Sequence, residues 1–321
     1  MNNKLLRGVS VIICCYNSEW IIRRTLNALK AQQIPNGFLW EIVLVDNCCT
    51  DDTIEVAKQT MQDSAIDFII IKENKAGLAN ARKCGISNVK YDIVVFCDDD
   101  TLLCPSYVQT VEYIMQSDPK IGAIGGKGIA EFQTTPDPIV EAHLFYYAVG
   151  SQMENDNFLF GAGLALRTAL VRGVYNTQTC YLMGRKGKDL GSGDDSELVM
   201  SMVLRGYRVF PTDDISYTHV LKAERLTKDY YDKLVVGLLR PTPVFHVFRT
   251  VIEGKTFWEF LSIYIMHFKS LLWSYRHNKH SVARYVRKSC MIELGNFNYW
   301  GIIKLWRIFN SWKKINNGRI S

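Results

Sequence analysis

A chain of 321 residues that is 48% hydrophobic and 22% charged has enough apolar material for one large α/β core, and this composition excludes a disordered chain. Its 9 cysteines are an odd number, stand partly in adjacent pairs and show no CxxC spacing, which excludes a regular disulfide framework and reads as reduced thiols of a cytoplasmic protein. The net charge of +6 is uneven: residues 254–321 hold twelve Lys/Arg against two acids, a net +10, and the 253 residues before them carry −4, so two surfaces face two kinds of partner.

The first third alternates between two periodicities. The apolar stretch after Lys4 and Arg7 is too short for a signal-peptide core and runs into Tyr16-Asn17, so it predicts a first strand. Strand-like runs at 9–14, 41–46, 67–72 and 92–97 are separated by helical patterns at about 18–32, 52–62 and 77–88. That rhythm implies βαβ units and a mostly parallel sheet flanked by helices. Such sheets bind ligands at the carboxyl ends of their strands. Polar groups stand at three of those ends: Tyr16-Asn17, Asp46-Asn47 and Asp98-Asp99-Asp100. Three adjacent acids repel one another, so a triplet at the end of a buried strand points to a divalent cation or a metal-bound polyphosphate.

Glycine-rich pieces follow at 122–128 and 161–163, and Gly191-Ser192-Gly193-Asp194-Asp195-Ser196-Glu197-Leu198 opens a helix predicted to end at Gly206. Ser192 and Asp194 are both candidate N-caps, which sets the acids at the positive end of the helix dipole. Capping accounts for one acid and leaves the others unexplained. Pro241-Thr242-Pro243 is the best boundary signal, and we divide the chain into 1–253 and a basic, aromatic tail at 254–321. Within the tail, 255–277 and 299–314 read as two amphipathic helices whose charges rule against a membrane span and fit an interfacial position on an anionic membrane surface. Packing of both helices on the core is the competing expectation.

In order and spacing, Val9–Asn17, Glu41–Thr53, Gly77–Ile86, the acid triplet, Phe160–Gly163 with Arg167, Arg185–Leu198, and His219 with Glu224–Thr227 resemble a family-2 inverting glycosyltransferase of the bacterial surface-polysaccharide type. The resemblance covers residues 9 to about 230 and implies the Rossmann-like A-type nucleotide-sugar fold with a C-terminal amphipathic helical extension. It implies that Asp46 reads the nucleotide base. It makes Asp98 and Asp100 the outer acids of a DxD motif, with Asp100, assisted by His219 and Asp98, on a Mn²⁺ or Mg²⁺ ion. Asp195 matches the catalytic base. Tyr16, Asn17, Gly77, Arg82, Asp99 and Arg167 fall on the donor side, and Gly161, Ala162, Gly163 and Asp194 on the acceptor side. Lys83 replaces a usual Asn, Asp194 a frequent Glu, and Cys48-Cys49 stand where small hydroxyl residues are common. QxxRW is absent, which favours one sugar per encounter.

The residues carry the same chemistry without the family. Sugar transfer from a nucleotide diphosphate needs the leaving group's charge neutralised, which a cation on Asp100 supplies. It also needs a base for the attacking hydroxyl, and Asp195 sits on a segment remote from the triplet. Bland alternatives remain for several residues: Asp46 as a turn cap, His219 as a hydrogen-bonded core histidine, Arg82 and Arg167 as partners of structural carboxylates. A metal-dependent nucleotidyltransferase would need a glycine-rich basic loop after the first strand, and a dinucleotide oxidoreductase would need GxGxxG; Cys14-Cys15-Tyr16-Asn17 is neither. A non-catalytic membrane scaffold explains the tail and not the acids. The expected partners are a nucleotide-diphosphate sugar, a glycan or lipid-linked glycan acceptor and the inner face of the plasma membrane, with no nucleic acid.

Overall fold

The protein is described from a computed structural model, which covers residues 5–154, 157–177, 181–182, 184–185, 190–277 and 299–318. Eight strands form one mixed sheet: β1 (Leu6–Cys15), β2 (Trp40–Asp46), β3 (Asp67–Lys72), β4 (Tyr91–Asp98), β5 (Thr101–Leu103), β6 (Ile121–Phe132), β7 (Leu164–Arg167) and β8 (Arg208–Leu221). Their spatial order is β3-β2-β1-β4-β7-β6-β8-β5. The first four strands are parallel to one another, and β7 joins β4 and β6 antiparallel. The chain moves outward from β1 to β3 and returns to β4 on the other side of β1. A crevice therefore opens at the carboxyl ends of β1 and β4.

Register fixes what lines that crevice. Cys15 pairs with Asp46 and Cys14 with Asp98, so the ends of β1, β2 and β4 lie level. Thr101 pairs with His219, which brings β8 up against the acid triplet from the far side of the sheet. The predicted strands and helices of the first third are found within a few residues. The first helix is the exception: α1 spans Ile22–Lys30 and not 18–32, because Ser18 O accepts the N–H groups of Ile21 and Ile22 in a turn. The next helices, α2 (Thr53–Met61) and α3 (Leu78–Asn88), cover opposite faces of the sheet. The remaining helices in chain order are α4 (Tyr107–Ser117), α5 (Pro138–Glu141), α6 (Thr168–Asn176), α7 (Asp194–Leu204), α8 (Lys228–Leu239), α9 (Thr242–Ile252), α10 (Phe257–His277) and α11 (Tyr299–Asn316).

The tail helices build a core of their own against α7 and α9. Leu305, Ile308, Phe309, Trp312 and Ile315 recur at helical spacing on α11 and are buried with Phe260 and Tyr264 of α10, Val247 and Phe248 of α9, and Met200 and Leu204 of α7. The expected Trp/Phe face of α11 is thus spent on protein packing. Its other face, with Lys304, Trp306, Arg307, Lys313 and Lys314, is exposed. Among the described residues no helix is long and apolar enough to cross a membrane. Lys279, Arg284, Arg287, Lys288 and the side chains of Trp273 and Trp300 lie outside the described residues.

Candidate active site

Two acidic segments separated by more than ninety positions converge on one cavity of about 580 Å³, which is lined by Asp98, Asp99 and Asp100 from the end of β4 and by Asp194 and Asp195 from the start of α7. Arg82 of α3 joins them. The residue is 2% exposed, and its guanidinium lies 2.8 Å from Asp194 and 3.7 Å from Asp98 and stacks 4.9 Å from the Phe96 ring centroid. Burial opposes the Arg82 charge, but Asp194 and Asp98 outweigh it and hold the side chain firmly protonated. A guanidinium used in this way positions two loops while it lines the cavity.

Neither expected N-cap closes α7. The capping position is Gly193, whose φ of 98° places it in the left-handed region; Ser192 donates to Gly237 O instead, and Asp194 is committed to Arg82. Asp195 is left pointing into the cavity with its Oδ1 accepting the Ser196 N–H at 2.7 Å. Burial and the neighbouring Asp194 charge push its carboxyl up to about 6, against the lowering pull of Arg82. An acid so placed can take a proton near neutrality. Gly161 faces it directly: a β-carbon there would stand 2.5 Å from Asp195 Oδ2 and 2.8 Å from Arg82 Nη2.

The triplet differs. Asp100, 3% exposed, receives the Arg225 guanidinium at 2.8 Å on Oδ2 and lies 3.4 Å from His219 Nε2 on Oδ1. Burial works against its charge, but Arg225 and His219 overcome it and hold the carboxyl well below the usual range. Asp99 accepts from the Ser18 hydroxyl, and burial together with Asp100 pushes it up to about 7. The His219 ring is oriented by its Nδ1, 2.7 Å from Tyr147 O. A carbonyl only accepts, so Nδ1 carries a hydrogen and Nε2 is the ring atom presented to Asp100 Oδ1. An imidazole nitrogen and a carboxylate oxygen 3.4 Å apart are both ligand types for a divalent cation. Among the described residues no group of three or more His, Cys, Asp or Glu forms a complete metal cage. Two protein ligands fit a Mg²⁺- or Mn²⁺-type site that is completed by phosphate oxygens and water.

The other expected site residues divide. Tyr16, Gly77, Gly161 and Ala162 line the cavity. Asp46 does not: its Oδ1 accepts the Cys49 N–H at 2.9 Å and closes the turn after β2, as the bland alternative held. The neighbouring Asn47 lines the cavity instead and ties down the loop before α3, donating to Glu73 O and Lys75 O and accepting from Gly77 N. Asn17, at a φ of 56°, joins the ends of β1 and β2 through Thr50. Arg167 is a correction: it donates to the carbonyls of Met115, Asp118 and Ile121, away from the cavity, and so holds β7 to the end of α4. Gly163 is another. Its carbonyl accepts from the buried Tyr107 hydroxyl and its φ is 70°, so it serves the backbone beneath the site. Of the Arg185–Leu190 stretch, Lys186–Asp189 lie outside the described residues; Arg185 lines the cavity and its carbonyl accepts from Leu78 N.

Two features escape a reading of the sequence. One is the role of Arg225, in the 3-10 turn Ala223–Leu226: the stretch Glu224–Thr227 belongs to the resemblance, but nothing in it points to Asp100. The other is an aromatic wall, in which Phe145 lies 4.8 Å from Phe160 and 6.1 Å from Phe158, with Tyr146 beside it. Buried Gln152 fixes part of that wall by accepting from Phe160 N and donating to Gly126 O.

A mixed sheet with a strand-end acid triplet facing a second acidic loop is the arrangement of an A-type glycosyltransferase. Residues 10–171 match the profile of glycosyl transferase family 2, and the chain belongs to that family. It is similar to the poly-beta-1,6-N-acetyl-D-glucosamine synthase of Staphylococcus aureus, at 29% identity over 121 residues, 38% of this chain and 28% of that one. The Staphylococcus epidermidis synthase is 26% identical over an equal span, so the chain covers little more than a quarter of the length of these curated relatives. In fold it is similar to S. aureus TarS in complex with UDP-GlcNAc, with a TM-score of 0.53, 15% identity, and coverage of 98% of this chain and 82% of that one. It is also similar to the mannosyltransferase PcManGT of Pyrobaculum calidifontis in complex with GDP-Man and Mn²⁺, at a TM-score of 0.53 and 15% identity over 100% of this chain and 88% of that one.

Proposed function

We propose that the protein moves one sugar, with inversion and without processive elongation, from a nucleotide-diphosphate donor to a hydroxyl of a glycan, the acceptor being lipid-linked and the product a surface polysaccharide. The observation that carries this reading is the convergence of the triplet and Asp195 on one cavity, with Arg82 between them. The diphosphate belongs at Asp100, His219, Arg225 and Arg185; the acceptor belongs beside Asp195, along the aromatic wall, where flat rings suit the C–H face of a pyranose. Asp100 and His219 would hold a divalent cation, which when bound neutralises charge on the leaving diphosphate. Asp195 Oδ2 takes the proton of the attacking hydroxyl, and the nearby positive charge of Arg82 favours the carboxylate that receives it. Attack from Asp195's side on a donor whose leaving group lies toward Asp100 inverts the anomeric carbon.

We further propose that residues 1–253 act as the catalytic unit and that the tail holds it on the anionic inner face of the plasma membrane. Trp258 is 76% exposed and Trp306 51%, beside Lys304 and Arg307. Co-sedimentation with anionic vesicles that weakens in high salt without vanishing supports this, and protein left in the supernatant refutes it. For the chemistry, the test is a panel of UDP-, GDP- and dTDP-sugars with Mn²⁺. Specific binding to the folded state raises the melting temperature, and the product's anomeric configuration is read by NMR. Retention of configuration, or no response to any nucleotide sugar, overturns the proposal.

A further inference from the structure

We propose that Arg225 is a built-in counter-cation: it occupies Asp100 while the donor site is empty, and yields that carboxylate to a divalent cation when a nucleotide diphosphate enters. This rests on the donor reading above. Asp100 cannot turn to water, since it is 3% exposed and its carbonyl is fixed at the strand end by the Val220 N–H at 2.9 Å. A buried carboxylate needs a positive partner, and the loss of one is strongly destabilising. Arg225 supplies it at 2.8 Å, and among the described residues no other carboxylate lies within 4.0 Å of that guanidinium.

The two ends of this pair differ in freedom. Asp100 sits at the end of the sheet. Arg225 sits on a four-residue turn, keeps 24% of its side chain exposed and lines the cavity, so its long stem can swing without moving the backbone. Its guanidinium takes Oδ2, and Oδ1 with His219 Nε2 offers only two protein ligands. A cation arriving alone meets an Asp100 already neutralised by a fixed positive charge, and finds too few ligands to displace it. A diphosphate changes both conditions, because it brings oxygens to complete the cation's shell and an anionic partner for the released guanidinium. Cation and nucleotide therefore load together.

The consequence is a pair of effects with opposite signs. R225M should bind Mn²⁺ at least tenfold more tightly than wild type in the absence of nucleotide, measured by the EPR signal of free Mn²⁺. With Mg²⁺ saturating, it should bind UDP or GDP at least tenfold more weakly by calorimetry. In metal-free buffer its melting temperature should fall, and Mn²⁺ alone should restore it. R225K, which keeps a point charge but loses the planar fork, should fall between the two on each measurement and serves as the test should R225M not fold. D100N should lose Mn²⁺ with and without nucleotide. Unchanged or weaker Mn²⁺ binding by nucleotide-free R225M or R225K overturns the proposal. If neither nucleotide binds any variant while the Mn²⁺ result holds, the donor reading fails and the counter-cation stands.

Discussion

Two carboxylates in one cavity, each attended by an arginine, are driven in opposite directions. Asp100 is gripped by Arg225 itself and stays ionised in a buried place. Asp195 has no guanidinium bonded to it. Arg82 is bonded to Asp194 next door, and the paired charges leave Asp195 with burial and a like neighbour to raise it to about 6. One acid is held as a charge and the other is left able to take up a proton near neutrality, and where the arginine bonds decides which.

That contrast breaks most visibly at Asp195. D195N should keep nucleotide affinity and lose roughly two to four orders of magnitude in transfer, the range for a positioned general base. Near-normal turnover would move the base to Asp194. At Arg82 the comparison breaks from beneath: R82M leaves Asp98 and Asp194 without their buried partner, and chemical denaturation should report a loss of about 3–5 kcal/mol. Arg82 is also the cation that lowers Asp195, so any residual activity of R82M should need higher pH than the wild type.

The pH profile sharpens the contrast. In the proposed mechanism Asp195 works when deprotonated, so turnover should climb about tenfold per pH unit up to about 6 and then level off. Its stability effect runs the other way: with the native value raised from 3.8, the folded state holds the proton more tightly, and stability present below about 4 is lost as pH rises to about 6. D195N should flatten that segment of the denaturation profile. The smallest effect belongs to Glu197, fully buried on α7 and accepting from Tyr181 N and Leu182 N, where burial lifts the carboxyl to about 8 despite those donors. E197Q mimics the protonated side chain and should cost within about 1 kcal/mol at pH 7. Wild type should lose stability between about 4.5 and 8 as Glu197 ionises, and E197Q should not.

How much of this could be read in the sequence follows from how local each signal is. Strand and helix of the first third are written in neighbouring residues, and β1 to β4 appear where their periodicity places them. The acids of the triplet and of α7 are visible for the same reason, since like charges side by side need an explanation. What pairs with them is not visible. Arg82 reaches Asp194 across 112 positions and Arg225 reaches Asp100 across 125, and nothing near either arginine in the sequence announces its partner. Arg167, by the same token, looks like any other site arginine until its three backbone carbonyls are seen. Asp46 and the caps of α7 show a related limit, because one oxygen of a carboxylate or hydroxyl serves equally well for a turn or for a ligand.

The packing of α11 against α7 makes the tail a poor handle to remove. Leu204 stands on the face of α7 opposite Asp195, and with Met200 it lies under Leu305, Ile308 and Trp312 in one apolar cluster. Cutting the chain near residue 250 would strip that cover and leave a sticky apolar face on the catalytic half, so a shortened protein invites aggregation before it reports on lipid. Point changes on the outer face, at Trp306 and Arg307, are the cleaner probe. The tail helix and the helix that carries Asp195 share one packed apolar cluster, so the outer face of α11 keeps a fixed place relative to the mouth of the cavity.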